Sequence, residues 1–272
     1  MDLLSPALIV ELLALGLTAG FLAGLLGIGG GMLMVPFLTI ILDQRGVPAG
    51  PAVKMAIATS MATIMFTSIA SVRAHHKKGA VRWDVVKGMA PGILIGGLLA
   101  GAGAFSLIKG QALALFFALF VGFSATQMLR NRQPKASRQM PGVGGQAAAG
   151  TGIGFLSGLV GAGGGFVSVP FMTWCNVPIH QAVATSAALG FPIAVANTLG
   201  YVVGGWNLPA IVPGAMGYLY LPALLVIASA SVTMAPLGAR TAHAMNVAQL
   251  KKVFAGLLYG LAAYMLWKGL HA

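Results

Sequence analysis

"GFLAGLLGIGGGMLMVPFL" runs from Gly20 to Leu38, and "GFLSGLVGAGGGFVSVPFM" runs from Gly154 to Met172. The two stretches agree at 12 of 19 positions at an offset of 134. A second agreement follows in the same order, "AIATS" at Ala56–Ser60 against "AVATS" at Ala182–Ser186, now at an offset of 126. Two ordered matches mark a duplication whose internal connection is 8 residues shorter in the second copy. The chain divides into a first membrane repeat over 1–135, a cytoplasmic linker over 136–145 and a second membrane repeat over 146–272. The junction is the polar run "RNRQPKASRQMPGVGG" from Arg130 to Gly145.

The surroundings of these motifs are too apolar for a soluble domain. The 272 residues are 58% hydrophobic and only 7% charged, well short of the usual charged quarter of a globular chain. Apolar runs approach the roughly 20 residues that cross a bilayer as helix. The weak alternation and the abundance of Gly, Ala and Leu favour helices over a β-barrel. The expected fold is an all-α integral membrane protein. Its net charge of +12 does not indicate a nucleic-acid partner, because Lys and Arg crowd into short interhelical loops, the topogenic pattern. Cys175 stands alone, which excludes an internal disulfide and a multi-cysteine metal site. The first 42 residues hold no Lys or Arg, so the positive start of a signal peptide is missing and the apolar start is read as membrane domain.

Each repeat has one layout. A glycine-interrupted segment (5–42; 146–175) precedes three helices, expected at 52–72, 88–108 and 111–129 and again at 181–203, 216–239 and 253–270. The basic residues set the orientation. Placing the loop after the first of these helices, the central linker and the segment from Arg240 to Lys252 in the cytoplasm puts 12 of 16 Lys and Arg inside. Arg45, Lys54, Lys109 and Lys268 are left outside. This works only if the glycine-interrupted segment is re-entrant, which makes the halves an inverted repeat with both termini outside. A single crossing would give parallel halves and a weaker tally of 10 against 6.

Broken helix at membrane depth strands backbone N–H and C=O groups, at several kcal/mol each in lipid, unless they face protein or a watery cavity. In inverted-repeat transporters such breaks meet near the midplane, and their helix N-termini hold an anionic group. Gly29, Gly30 and Gly31, with Gly163, Gly164 and Gly165, are therefore the primary candidates for contact with a small anionic substrate. Close helix packing explains Gly92–Gly96 and Gly97–Gly101 better than it explains triple glycines followed by proline. Thr59, Ser60, Thr185 and Ser186 fall early in the next helices, where a hydroxyl can bond an oxyanion or a helical carbonyl. Ser71 and Asn197 are equivalent at the offset of 126 and are weaker candidates. So are Lys54 and His180, polar positions just before each AxATS motif that can steer anions.

Other features have plainer readings. There is neither a GxGxxG fingerprint in a βαβ context nor a GxxxxGK[ST] loop, and no cofactor or metal is expected. Four acidic residues leave little for acid–base catalysis. His75 and His76 beside Lys77 and Lys78 read as a solvated basic loop. Trp206, Tyr218, Tyr220 and Trp267 read as an interfacial aromatic belt. Lys109 aligns with Arg240 if Pro91 and Pro222 are matched at an offset of 131.

The paired glycine–VP motifs, the AxATS helices, "APLGARTAH" at 235–243 and "LKKVFAGLLYGLAAYML" at 250–266 together resemble the sulfite exporter TauE/SafE family, over nearly the whole chain. The resemblance implies a multi-pass transporter of the bacterial inner membrane that moves sulfite, sulfonates or related sulfur-containing organic anions. Its partners would be that anion and the lipid bilayer, and the sequence sets no oligomeric state. Uptake of a sulfur oxyanion or a carboxylate is the alternative within transport. A membrane scaffold or an enzyme subunit is the alternative from another class, although no nucleophile–base pair is visible.

Overall fold

Proline and glycine punctuate the apolar chain into helices. A computed structural model describes residues 5–26, 30–130, 137–210, 212–241 and 247–271. Gly29 in the first break and Lys135 and residue 136 at the linker lie outside the described residues. In the first half α1 spans Pro6–Leu26, α2 Gly31–Gln44, α3 Ala49–His76, α4 Trp83–Leu107 and α5 Gly110–Arg130. In the second, α6 spans Val143–Val160, α7 Gly165–Trp174, α8 Ile179–Gly205, α9 Leu221–Thr241 and α10 Val247–His271. A π-helical stretch at Leu99–Ala104 interrupts α4. Pro48 and Pro178 stand immediately before α3 and α8, where a missing N–H costs nothing.

Among the described residues, seven helices are long and apolar enough to cross a membrane: α1, α3, α4, α5, α8, α9 and the Lys252–His271 part of α10. The protein is an all-α integral membrane protein, and its described β-structure is one two-stranded hairpin. That hairpin, β1 Ala215–Met216 with β2 Leu219–Tyr220, occupies the start of the helix expected at 216–239. Gly217 turns it at a φ of 56°, so α9 begins only at Leu221.

Small residues weld the two halves. A methyl on Gly20 or Gly24 of α1 would overlap the backbone of Ser231 or Ala235 on α9, and one on Gly16 would lie 2.8 Å from Ile227 O. On α4, Gly92 and Gly96 press against Ala147 and Thr151 of α6, while Gly97 and Gly101 press against Asn197 and Gly200 of α8. These are close-packing glycines, as their spacing suggests. Contact numbers rise together along α1 and α9 and along α4 and α6, so each pair runs in one direction. The bonds Tyr220 N–H to Thr59 and Thr67 to Ser231 give α3 and α9 a shared direction too. Arg82 N–H to Thr185, with Gly97 against Asn197, does the same for α4 and α8.

The contacts also reset one alignment. Gly16 and Gly150, 134 apart, meet Ile227 and Met89, which stand 138 apart. Thr59 and Thr185 likewise meet Tyr220 and Arg82, again 138 apart. The match of Pro91 with Pro222, and with it Lys109 with Arg240, is therefore incorrect, because the hairpin lengthens the second connection. The earlier shortening is shared out as well: α2 has 14 residues and α7 has 10.

Candidate functional site

The breaks form as the glycines demand. Gly30 and Gly164 cap α2 and α7 with left-handed backbone, φ 71° and 76°, a conformation that costs other residues roughly 1–2 kcal/mol. Each helix then returns beside its predecessor: a Cβ on Gly30 would lie 2.7 Å from Ala19 O, and one on Gly164 would lie 3.1 Å from Ser157 Oγ. By helix geometry the first N–H groups of α2 and α7 have no i−4 acceptor. The start of α2 lies against the second break, since a methyl on Gly31 would overlap Gly161 O. Ser60 Oγ donates to that same carbonyl at 3.2 Å. The two breaks thus meet at the crossing of α3 and α8.

Beside this junction is a small cavity with room for about one water molecule. Thr67, Ser68 and Ser71 of α3 line it, with Ser186 and Gly190 of α8 and Gly163 of the second break. Ser71 is 3% exposed, and its Oγ has no partner among the described residues. Thr67 bonds Ser231 at 2.8 Å, and Ser168 donates to Ser186 at 2.9 Å. No carboxylate lines the space. Ala23, Ile64 and Ala187 complete the lining and most of the open surface is apolar, so the spare Ser71 O–H is the group the cavity offers an anion.

Three residues singled out from sequence, Ser71, Gly163 and Ser186, are brought together here. Others are placed elsewhere. Thr59 and Thr185 are buried, and each hydroxyl accepts an interhelical N–H at 3.0 Å, from Tyr220 before α9 and from Arg82 before α4. Both bonds satisfy an N–H that precedes a helix, and neither residue lines the cavity. Methyl groups on Gly30 and Gly164 would run into Ala19 O and the Ile193 side chain, not into the cavity. Gly165 opens α7. Asn197 donates to Ile193 O and Gly154 O, at 2.9 and 3.2 Å, where it packs α8 on α4 and α6. His180 is exposed at the start of α8.

Lys54 lies at the opposite end of α3 from Ser71. Its ammonium donates to Ser106 O at 3.1 Å and sits over the rings of Phe105 and Tyr218, 5.7 and 5.3 Å from their centroids. Phe105 also packs on Tyr201, with centroids 4.4 Å apart, and the Tyr201 hydroxyl bonds Gly158 O. Tyr218 and Tyr220 are buried, 6% and 4% exposed, whereas Trp206 and Trp267 are 71% and 56% exposed. The tryptophans fit a belt; the two tyrosines belong to the interior, where burial pushes both phenols up from their ordinary values. His75 is likewise buried in the last turn of α3 rather than solvated, while His76 accepts the Trp83 indole N–H at 3.1 Å. Thr67, Ser68, Phe105 and Tyr201 escaped the sequence reading, because hydroxyls and aromatics in apolar helices carry no spacing signal of their own.

Comparison with known proteins agrees with this architecture. The family model for the sulfite exporter TauE/SafE matches residues 12–265. A probable membrane transporter protein of Haemophilus influenzae is 34% identical over 256 residues, covering 94% of this chain and 97% of that protein. One of Methanocaldococcus jannaschii is 29% identical, covering 97% and 96%. The Bacillus subtilis protein YunE, also named a probable membrane transporter protein, is 29% identical, covering 76% and 84%. No solved structure matches. With two broken helices meeting beside a small cavity inside a bundle of membrane helices, and a family match from residue 12 to residue 265, the chain belongs to the sulfite exporter TauE/SafE family of membrane transporters.

Proposed function

We infer that this transporter exports sulfite or a related sulfonate from the cytoplasm across the bacterial inner membrane, by alternating access at the crossing of α3 and α8. The observation that carries the anionic substrate is the unpartnered Ser71 Oγ at a small cavity beside the two breaks, where no carboxylate is found among the described residues. Outward movement follows from electrostatics. An inside-negative potential drives an anion out with about 2.3 kcal/mol per charge per 100 mV. Export then needs no coupling ion.

The inverted repeat is part of this proposal. Supporting it, Gly190 of α8 lies by Ser68 of α3, the chain leaving α3 reaches Thr185 early in α8, and the chain leaving α8 reaches Thr59 early in α3. These contacts fit equivalent helices running in opposite directions, as an inverted repeat requires. Asp43 at the end of α2 bonds Lys268 at the end of α10, and Arg45 bonds Glu11 near the start of α1 at 3.3 Å. These groups share the face assigned to the outside. Arg82, Arg138 and the ends of α3 and α7 share the other.

Proteoliposomes with a clamped potential test the proposal. Sulfite should move faster when the source compartment is negative, and sulfonates should compete. Equal movement of carboxylates, or flux indifferent to potential, would replace export of a sulfur anion with another transport role. Absence of all flux would leave the scaffold reading.

A further inference from the structure

Lys54 is a half-buried cation without an anion. Among the described residues every carboxylate already has its own base: Glu11 has Arg45, Asp43 has Lys268 and Asp84 has Arg82. The Lys54 ammonium is held instead by the Ser106 carbonyl, in the last turn of α4, and by the faces of Phe105 and Tyr218. Ring faces and a helix C-terminus both attract a cation, but more weakly than a full negative charge in the same low-dielectric setting.

The residues around Lys54 come from four elements at one end of the α3–α8 crossing. Lys54 is on α3, Phe105 and Ser106 end α4, Tyr201 is on α8 and Tyr218 is in the hairpin before α9. Phe105 and Tyr201 are fully buried, and Tyr218 meets Phe105 edge-on with centroids 5.3 Å apart. The three rings fill the end of the bundle that also carries Asp43 and Lys268. The cavity lies further along α3, between Ile64 and Ser71. The first repeat's counterpart of the hairpin is a six-residue connection over 77–82 without a hairpin.

Resting on the transport reading above, we propose that Lys54, Phe105, Tyr201 and Tyr218 form the exit gate of the anion path, and that the arriving anion opens it by replacing the ring faces and the Ser106 carbonyl as the partner of Lys54. The closed gate is stable because the ammonium is satisfied without an acid. It is releasable because each partner is weak. Beyond the cavity, the anion meets Lys54 as a full positive charge.

The cation and its cage should differ in sign when altered, which separates a gate from a merely structural lysine. On a Cys175→Ser background, Ala187→Cys places a reporter in the cavity lining, and Lys77→Cys and His271→Cys mark the two faces. Lys54→Met keeps the apolar stem and should raise reporter labelling from the His271 face by roughly three- to tenfold, as expected for the loss of a cation–π contact. Tyr218→Leu should do the same; Lys54→Arg and Tyr218→Phe should not. Sulfite flux should then part company: Lys54→Met lowers apparent affinity about tenfold or more, whereas Tyr218→Leu, which frees the ammonium, raises it. Labelling unchanged in Lys54→Met, or flux falling alike in both variants, overturns the gate. If wild-type protein moves no sulfite, the transport reading fails, and the labelling arm still decides whether Lys54 holds this end shut.

Discussion

Gly30 and Gly164 carry a backbone constraint that a single methyl group tests. Both sit at positive φ, and a Cβ would lie 2.7 Å from Ala19 O in one case and 2.5 Å from Ile193 Cδ1 in the other. Alanine at either position should cost about 1–3 kcal/mol through left-handed strain and overpacking, seen as a lower thermal midpoint in detergent. Flux lost from protein of unchanged stability would instead place the methyl in the substrate's way. Cys175 offers a second test. Burial pushes its thiol up, against a smaller opposing effect of Arg138, so at neutral pH the reactive thiolate is scarce. A maleimide should label native protein slowly and denatured protein fast; rapid native labelling would mean that the turn after α7 opens readily. The candidate site was only partly legible at this scale. Ser71 was visible through its partner Asn197 at the offset of 126, yet one faces a cavity and the other clasps two carbonyls. Equivalent positions share backbone geometry; side-chain size and neighbours decide what each does.

Helix starts are the feature that the AxATS motifs serve among the elements. Thr59 and Thr185 each accept the N–H that precedes a helix of the neighbouring bundle. Valine at either site leaves a donor without its acceptor, buried at Tyr220 and part-buried at Arg82, at about 1–3 kcal/mol for the buried one and less for the other. Both variants should melt earlier while keeping the apparent affinity for sulfite. Weaker affinity with unchanged stability would return these hydroxyls to the substrate. Repetition in the sequence signalled that the two threonines matter, but it could not tell a ligand from an anchor. The helices themselves were legible from apolar runs, and the breaks from triple glycine before proline. The hairpin at 215–220 was not, because "AMGYLY" is as apolar as the helix it precedes. It shifted the second connection enough to make a chance pairing of prolines look like a repeat.

Across the whole molecule, an inverted repeat requires that Asp43 and His271 face the same side and that Lys77 faces the other. Single cysteines at these three positions, labelled from either side of the membrane with an impermeant reagent, should report that arrangement; Asp43 and His271 on opposite sides would exclude the inverted repeat. Export as proposed further requires that a sulfur anion pass Ser71 at the cavity between α3 and α8. Its most direct test is the initial rate of sulfite flux in proteoliposomes carrying Ser71→Asp, beside wild type and Ser71→Ala at equal reconstitution and potential. A fixed negative charge in an anion path should abolish flux, because like charges at close range in a low-dielectric site repel by several kcal/mol, whereas Ser71→Ala should only reduce it, by roughly three- to tenfold for one hydrogen bond. Undiminished flux through folded Ser71→Asp protein would contradict the account.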